Sequence, residues 1–500
     1  MKFRITIKKN LKEIFPENEL SIIYKKNNIQ FEGDKPLYQW ENKLKEKFFL
    51  LGDIVGIRVK GKIISEIKDF KLFENHDKIS LVEGRFVIIK INEKNELSVW
   101  ADQFGRSDIY WCQNKRSTFF ITSNKRLVPS KVDIGKIDPN GLAQILTIYG
   151  GRPLKKNTLR ENLNRVGVNE KLSIIRGKLI LQEKTFEPLT TFPKDDLSKL
   201  NQYTDIFIEA VRARASKSQN IIFLSSGWDS TSILATLCHL FNKSKIECII
   251  GRMRYSNRSG IINQFELDRA HKIAKYYDVK LHIVELDYTE NASKFTEEIS
   301  PGLIEKEFSN LTGYNHWLLA KGASKIAKTG AVVFAGEISD GAHNLGFSQY
   351  FSIFHPASHA FREYSDKMAS YLFGPTFLMQ LMSGNYKEDP VWKIFMEYHD
   401  KTKFDKIETD KIKITSQLIE TFFLSGGRIP LYSKDNCKIL TTKGREQFLL
   451  NGKSTYLDKF IGKINENNLY AHYLFLYNSF HWQGGTVATL EDCCEAFGLK

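Results

Sequence analysis

Three serines, a glycine and an aspartate stand together in Leu224-Ser225-Ser226-Gly227-Trp228-Asp229-Ser230. An apolar run, Ile221-Ile222-Phe223-Leu224, precedes them. After them Ile233, Leu234, Leu237, Leu240 and Phe241 recur at helical spacing. The segment is therefore a turn from a strand into a helix. The first turn of a helix has unpaired N–H groups and a partial positive charge, so it attracts anions. Ser225, Ser226 and Ser230 add hydroxyl donors, and Gly227 lets a ligand approach the backbone closely. An Asp aimed at polyphosphate repels it unless a cation lies between them, so Asp229 implies Mg²⁺. A plain helix cap, with Asp and Ser satisfying the helix donors, accounts for the same residues without a ligand.

Further strands and helices follow the turn. Ile249-Ile250-Gly251, Leu281 to Val284 and Ala331 to Ala335 read as further strands. Helices run through Ala270, Ile273, Ala274 and Tyr277, and from Leu318 to Ala327. Strands alternating with helices imply a parallel sheet with right-handed crossovers. In such a sheet the strand ends meet at one edge, where ligands bind. Ala335-Gly336-Glu337-Ile338-Ser339-Asp340-Gly341 leaves the fourth strand at that edge, which brings Glu337 and Asp340 towards Asp229. Carboxylates facing one another across polyphosphate suit Mg²⁺; a polar loop with capping acids is the alternative.

Ahead of this region, residues 1 to about 185 are β-rich. Ile22 to Phe31, Ile54 to Ile64, Arg85 to Ile91, Glu96 to Ala101, Phe119 to Thr122 and Lys171 to Gln182 read as strands separated by Gly, Asn and Asp turns. Glu187 to Asp196, with two prolines, reads as a linker. The boundary divides the chain into domains at 1–190 and 200–500. Residues from about 347 onward read as mostly helical and aromatic-rich, with no internal repeat.

Composition narrows the function classes. Lys and Arg number 73 against 58 Asp and Glu, a net charge of +15. The excess is spread rather than clustered, which suits a solvated lysine-rich surface or a cleft for an anionic substrate better than a nucleic-acid patch. No apolar run is long enough to span a membrane, and the start has no signal-peptide pattern. Six cysteines without a C-x-x-C pair indicate neither a disulfide framework nor a zinc ribbon, and a reducing cytoplasm is expected.

The turn at 224–230 resembles the S-G-G-x-D-S pyrophosphate loop of the ATP pyrophosphatases, with Ser226 where that family usually has glycine. If the position requires a positive φ, serine is strained there. No G-K-[ST] follows, so it is not a Walker loop. The segment 335–341 resembles S-G-E-G-S-D-E of the asparagine synthetase branch; Gly336, Glu337, Ser339 and Asp340 match, and Gly341 replaces the last acid. Gly84-Arg85-Phe86 and Asp102-Gln103-Phe104-Gly105 to Tyr110 resemble that family's glutamine amidotransferase segments. The likeness spans about residues 80–350.

The resemblance implies a fold and an activity. An Ntn-hydrolase-like layered β-rich domain would precede a parallel-sheet ATP pyrophosphatase domain (adenine nucleotide α-hydrolase-like) with a helical C-terminal part. ATP and Mg²⁺ are the implied cofactors. Asp229 and Asp340 would hold Mg²⁺ and pyrophosphate, and Glu337 would assist formation or breakdown of an acyl-adenylate. Ser225, Ser226, Gly227 and Ser230 would line the phosphates, while backbone at Leu224, Gly251 and Gly336 would bracket the nucleotide. The substrate would be a small carboxylate, aspartate by default. A family glutaminase needs cysteine as the first residue of the mature chain, and here Met1 is followed by Lys2, so glutamine hydrolysis is not expected. The nitrogen would come from ammonia, an amine or a separate glutaminase.

The family continues through R-x-P-F-L-D and a catalytic lysine. Arg428-Ile429-Pro430-Leu431, with Lys438 and Lys443 after it, is the near match, in a different context. The stretch from His481 to Lys500 resembles the helix that precedes that region, so the chain would stop about where the lysine region begins. Three other readings stand beside an asparagine-forming ligase. One is a non-catalytic relative that binds nucleotide or a partner; another is a specialised amide-forming enzyme. The third is an enzyme activating a tRNA base, which the front domain argues against. His355 and His359 lack the acid of an H-E-x-x-H site, and Tyr470 to Trp482 reads as core.

Overall fold

The computed structural model describes residues 1–8, 20–67, 70–146, 152–184, 197–289, 292–305, 307–308, 311–337, 380, 383–390, 440–461, 463, 468, 471–472, 475 and 486–500. Asp340, the 187–196 linker, His355, His359 and the 428–438 segment lie outside them, as does most of 470–482.

The front half is built on two antiparallel sheets. Its strands are Phe3–Ile7 (β1), Ser21–Lys26 (β2), Ile29–Gly33 (β3), Tyr38–Glu41 (β4), Lys47–Val59 (β5), Lys62–Ile64 (β6), Val82–Ile91 (β7), Leu97–Ala101 (β8), Tyr110–Gln113 (β9), Phe119–Thr122 (β10), Asn164–Arg165 (β11), Glu170–Ile175 (β12) and Lys178–Glu183 (β13). One sheet runs β11-β9-β10-β1-β3-β2; the other runs β13-β12-β8-β7-β5-β4, with β6 paired to β5.

Side chains alternate across a strand, so every second residue shares a face. Phe3, Ile5, Ile7, Ile29 and Phe31 of one sheet meet Phe49, Leu51, Val87, Ile89, Leu97 and Val99 of the other in a single buried core. Full burial of each such side chain contributes about 1.5–3 kcal/mol before entropy is counted. On the outer face of the second sheet, Phe48, Leu50, Phe86, Ile88 and Trp100 are covered by Phe73 and Ile79.

Three stretches read as single strands are hairpins: β2–β3, β5–β6 and β12–β13. Lys60-Gly61 and Arg176-Gly177 have positive φ at both turn positions, the geometry that matches strand twist. The sequence signal was the glycine at the second turn position, concealed by β-forming residues on both sides.

The rear half carries a four-stranded sheet, Asn220–Phe223 (β14), Ile246–Arg254 (β15), Lys280–Asp287 (β16) and Val332–Ala335 (β17), in the order β16-β15-β14-β17. Every neighbouring pair is parallel. With the front half, this makes a mixed fold of antiparallel sheets and a parallel sheet. The described α-helices of six residues or more are Pro139–Gln144 (α1), Leu197–Arg214 (α2), Trp228–Leu240 (α3), Gln264–Tyr277 (α4), Ala292–Glu305 (α5), Leu311–Ile326 (α6), Thr442–Gly452 (α7) and Thr486–Ala496 (α8).

On one face of the parallel sheet, Ile222, Leu224 and Ile250 pack with Val211 of α2, Leu234 and Leu237 of α3 and Leu267 and Ala270 of α4. On the other face, Ile221 and Ile249 pack with Ala323 of α6. Two successive right-handed crossovers step from β14 to β15 to β16, and the next steps back to the far side of β14, which puts helices on both faces. The order therefore reverses between β14 and β17. In an open parallel sheet, the crevice outside the strand ends at such a reversal is where ligands bind.

α8 joins the halves. Its Leu490, Cys493 and Cys494 share a core with Ala320, and Trp317 of α6 packs against that core. Its acids face the front half: Asp492 lies 3.4 Å and Glu495 3.3 Å from Arg85, and Glu495 lies 2.7 Å from the Met1 ammonium. Asp492 and Glu491 stand 4.0 Å from Arg152 and Arg106 respectively. Burial raises the Glu491 carboxyl although Arg85 and Arg106 oppose it.

Candidate active site

The loops leaving β14 and β17 meet at the reversal. A Cβ placed on Gly336 would stand 2.8 Å from the Ser230 backbone nitrogen and 3.0 Å from Asp229 Cβ. Gly336 is not in the left-handed region. Its lack of a side chain therefore serves contact between two loops, not a turn. Glu337 follows directly, so two acids from distant stretches of sequence sit at one strand edge.

The loop itself is held by short bonds. Leu224 N–H donates to Ile249 O at 2.8 Å, extending the ladder one residue beyond β14. Ser225 N–H donates to Ser230 Oγ at 3.2 Å, and Thr231 Oγ1 donates to Gly227 O at 2.7 Å. Ser230 is thereby a brace that folds the loop onto the helix start. Gly227 is the N-cap of α3 and supplies no side-chain cap. The early N–H groups of α3 therefore receive no side-chain bond from that position, and an anion there would meet the positive end of the helix.

Ser226 is buried with φ at +63°. This serine, a non-glycine residue, therefore sits in the strained left-handed region. Its carbonyl accepts from Arg269 Nη2 at 2.9 Å, and the Arg269 guanidinium lies 5.4 Å from the Phe265 ring centre. A cation anchored on the loop strengthens its pull on anions. The residue of α4 that touches the loop is thus Arg269.

Gly251 is a different case. It lies inside β15, and a Cβ there would meet Leu286 Cδ1 at 2.4 Å. Its carbonyl accepts from Asn263 Nδ2 at 2.8 Å, while Asn263 Oδ1 accepts from Met253 N–H at 2.9 Å. The close approach at Gly251 is made by the protein's own leucine.

His316 of α6 was missed. Its Nε2 stands 3.9 Å from Glu337 Oε1, and the residue is 5 % exposed. Burial holds its imidazole down to about 4, so the ring is neutral at physiological pH. A histidine on an otherwise apolar helical stretch gives no sequence signal of this kind; only the fold brings it to the loop after β17. Tyr203 of α2 also borders the site: burial and then the Asp229 carboxylate raise its phenol. Trp228, the first residue of α3, is 87 % exposed.

Among the described residues, no three His, Cys, Asp or Glu side chains gather as a ligand set for a metal, and Asp340 is outside them. Asp229 and Glu337 are the acids the described loops bring to the edge. Nor is any helix among the described residues long and apolar enough to cross a membrane.

No protein-family model matches the chain, and no curated protein matches it. Solved structures similar to it include a glutamine-dependent NAD+ synthetase from Acinetobacter baumannii in complex with ADP. That similarity has 14% identity and a TM-score of 0.22, over 64% of this chain and 49% of that one. An NH3-dependent NAD synthetase from Campylobacter jejuni in complex with nitrate is similar at 14% identity and a TM-score of 0.22, over 54% of this chain and 98% of that one. This chain thus spans about half the length of the first of these.

Proposed function

We propose that this chain is an ATP-dependent carbon–nitrogen ligase of asparagine synthetase type. The observation that carries the reading is the contact of Gly336 with Asp229 and Ser230, which puts the two motif-bearing loops together at the sheet reversal.

The substrate carboxylate would attack the α-phosphorus of ATP. A carboxylate O–P bond forms and the α–β phosphoanhydride bond breaks, giving an acyl-adenylate and pyrophosphate. An amine or ammonia would then attack the acyl carbon. The C–N bond forms, AMP leaves with the bridging oxygen, and Glu337 takes the proton from nitrogen. The start of α3 and the backbone from Ser225 to Gly227 bind the phosphates, and Arg269 fixes that loop through Ser226 O.

The donor chemistry suits Mg²⁺: Asp229 faces an anion site and would share the ion with Asp340, and the loop that leads to Asp340 is the one packed on Asp229. Bound there, the ion would neutralise charge on the departing pyrophosphate. Aspartate is the default acceptor, in a soluble cytoplasmic setting. Lactam, peptide or sugar amidation is the specialised form of the same chemistry.

ATP–pyrophosphate exchange across a panel of carboxylates, aspartate first, tests this. The Asp229→Ala variant is expected to lose exchange by at least about a hundredfold. Exchange at the wild-type rate in that variant would overturn the assignment of Asp229. No exchange with any carboxylate would favour a nucleotide-binding relative that turns nothing over.

A further inference from the structure

Between α5 and α6 the rear chain touches the front half. Leu159 N–H donates to Glu307 Oε1 at 3.3 Å, and Lys125 Nζ stands 3.6 Å from the same oxygen. The Leu159 carbonyl accepts from Asp138 N–H at 3.1 Å, so the segment that receives Glu307 is itself tied into the front half. Arg165 braces that segment by donating to Pro153 O at 2.8 Å, Leu154 O at 3.0 Å and Asn157 O at 3.0 Å. Next to Glu307, the Phe308 ring centre lies 5.0 Å from the Arg152 guanidinium, and Arg152 is paired with Asp108. Glu307 is 3 % exposed, sits at φ +63°, and its Oε2 is buried without a hydrogen-bond partner. A left-handed residue other than glycine and an orphaned buried oxygen both cost free energy. Such costs persist only where the surrounding structure imposes them.

On its other side Phe308 belongs to the core that holds Ala320 of α6 and Leu490 of α8. Trp317 of α6, Phe223 at the end of β14 and Ala335 at the end of β17 pack against that core. A chain of packed side chains thus runs from Arg152 to the strand ends that carry the candidate site. We propose that Glu307 is a positioning residue: by plugging the approach to α6 into the front half, it fixes where α6 and the end of β17 stand relative to the phosphate loop. The front half then acts as a template for the rear site. This rests on the ligase reading and deepens it, since it gives the front half a task that needs no glutamine hydrolysis. The dependence falls on the geometry of the reacting groups more than on phosphate binding, because α3 packs on the opposite face of the sheet from α6.

The test has two arms on the full chain. In the first, deuterium uptake is followed by mass spectrometry in the wild type and in Glu307→Ala, which loses the acceptor for Leu159 N–H. Amides of 311–326 are expected to open about tenfold more often, while those of α3 and β14 keep wild-type protection. Unchanged uptake over 311–326 overturns the proposal. A rise shared by α3 and β14 is general loosening and overturns it too. Should Glu307→Ala not fold, Phe308→Leu keeps an apolar side chain beneath Arg152 without the ring and is judged by the same uptake. This arm needs no turnover, so it decides whether Glu307 holds α6 even if no carboxylate supports pyrophosphate exchange.

In the second arm, Glu307→Ala is expected to keep its Mg·ATP affinity within about twofold by calorimetry while ATP–pyrophosphate exchange falls about tenfold. Glu307→Gln retains an acceptor oxygen for Leu159 N–H and is expected to recover most of that loss. An equal fall in affinity and rate, or no recovery by glutamine, means a general structural role and refutes the proposal. Absence of pyrophosphate exchange in the wild type counts against the ligase reading instead.

Discussion

Gly336→Ala is the substitution on which the site's geometry can be judged. The new methyl group would stand 2.8 Å from Ser230 N and 3.0 Å from Asp229 Cβ, where ordinary contact starts at 3.4 Å. The deficit is 3.4 − 2.8, or about 0.6 Å, against backbone that cannot rotate away. Alanine is otherwise compatible with the local dihedrals, because Gly336 is not at positive φ. Two costs follow. Overpacking of this kind destabilises by about 1–3 kcal/mol. The loops carrying Asp229 and Glu337 must also part by several tenths of an ångström, and misplacement of about 1 Å at a reacting centre can cost about a hundredfold in rate. The expected outcome is a Mg·ATP affinity reduced severalfold by calorimetry and an exchange rate reduced about ten- to a hundredfold, with the fold retained by circular dichroism. Wild-type affinity and exchange, together with an unchanged unfolding midpoint, would mean that the two loops do not meet, and the reasoning built on their contact would fail.

Ser226→Gly relieves a left-handed serine worth about 1–2 kcal/mol, offset by about 0.5–1 kcal/mol of extra chain freedom, so denaturant unfolding should show a net gain of about 0.5–1 kcal/mol. Asp108→Asn leaves Arg152, Lys155 at 2.8 Å and Arg165 at 3.6 Å without their shared carboxylate, and stability should fall by about 3–5 kcal/mol. Burial, then Lys171, holds the His76 imidazole down to about 4. The unfolded chain takes up this proton below about pH 6.5 while the folded one refuses it, so stability declines as pH falls from about 6.5 towards 4 and is unaffected above that window. His76→Gln should shrink the difference in unfolding midpoint between about pH 7 and about pH 5; an unchanged difference would remove His76 as a cause.

Legibility from sequence followed how local each feature is. β14, α3 and the loop between them were readable because a buried apolar run, a Ser-Gly turn and helical spacing are all short-range signals. The strain at Ser226 was readable too, as a conflict between one residue type and one backbone conformation. Hairpin turns at Lys60-Gly61 and Arg176-Gly177 were merged into longer strands, since β-branched residues continue on both sides and dominate the pattern. That Gly251 leaves room for Leu286 depends on β15–β16 packing, which the local sequence does not report. Arg269 and His316 reach the site across helices whose periodicity reports only which face is apolar. Their relevance depends on tertiary placement, which spacing along the chain does not encode.

The position of α8 has a consequence for any attempt to study the halves apart. This helix is far from the front sheets in sequence, yet Asp492 and Glu495 pair with Arg85, and its acids stand 4.0 Å from Arg106 and Arg152, while its other side packs on α6. A fragment ending near residue 190 would therefore leave Arg85 without its two acids, although Arg152 keeps Asp108 and Arg106 keeps Asp102. The complementary fragment would carry a half-buried acidic strip with nothing to neutralise it. Adding α8 to the front piece as a tethered peptide is the cheaper route to a soluble module, and salt should loosen that graft as it screens the ion pairs.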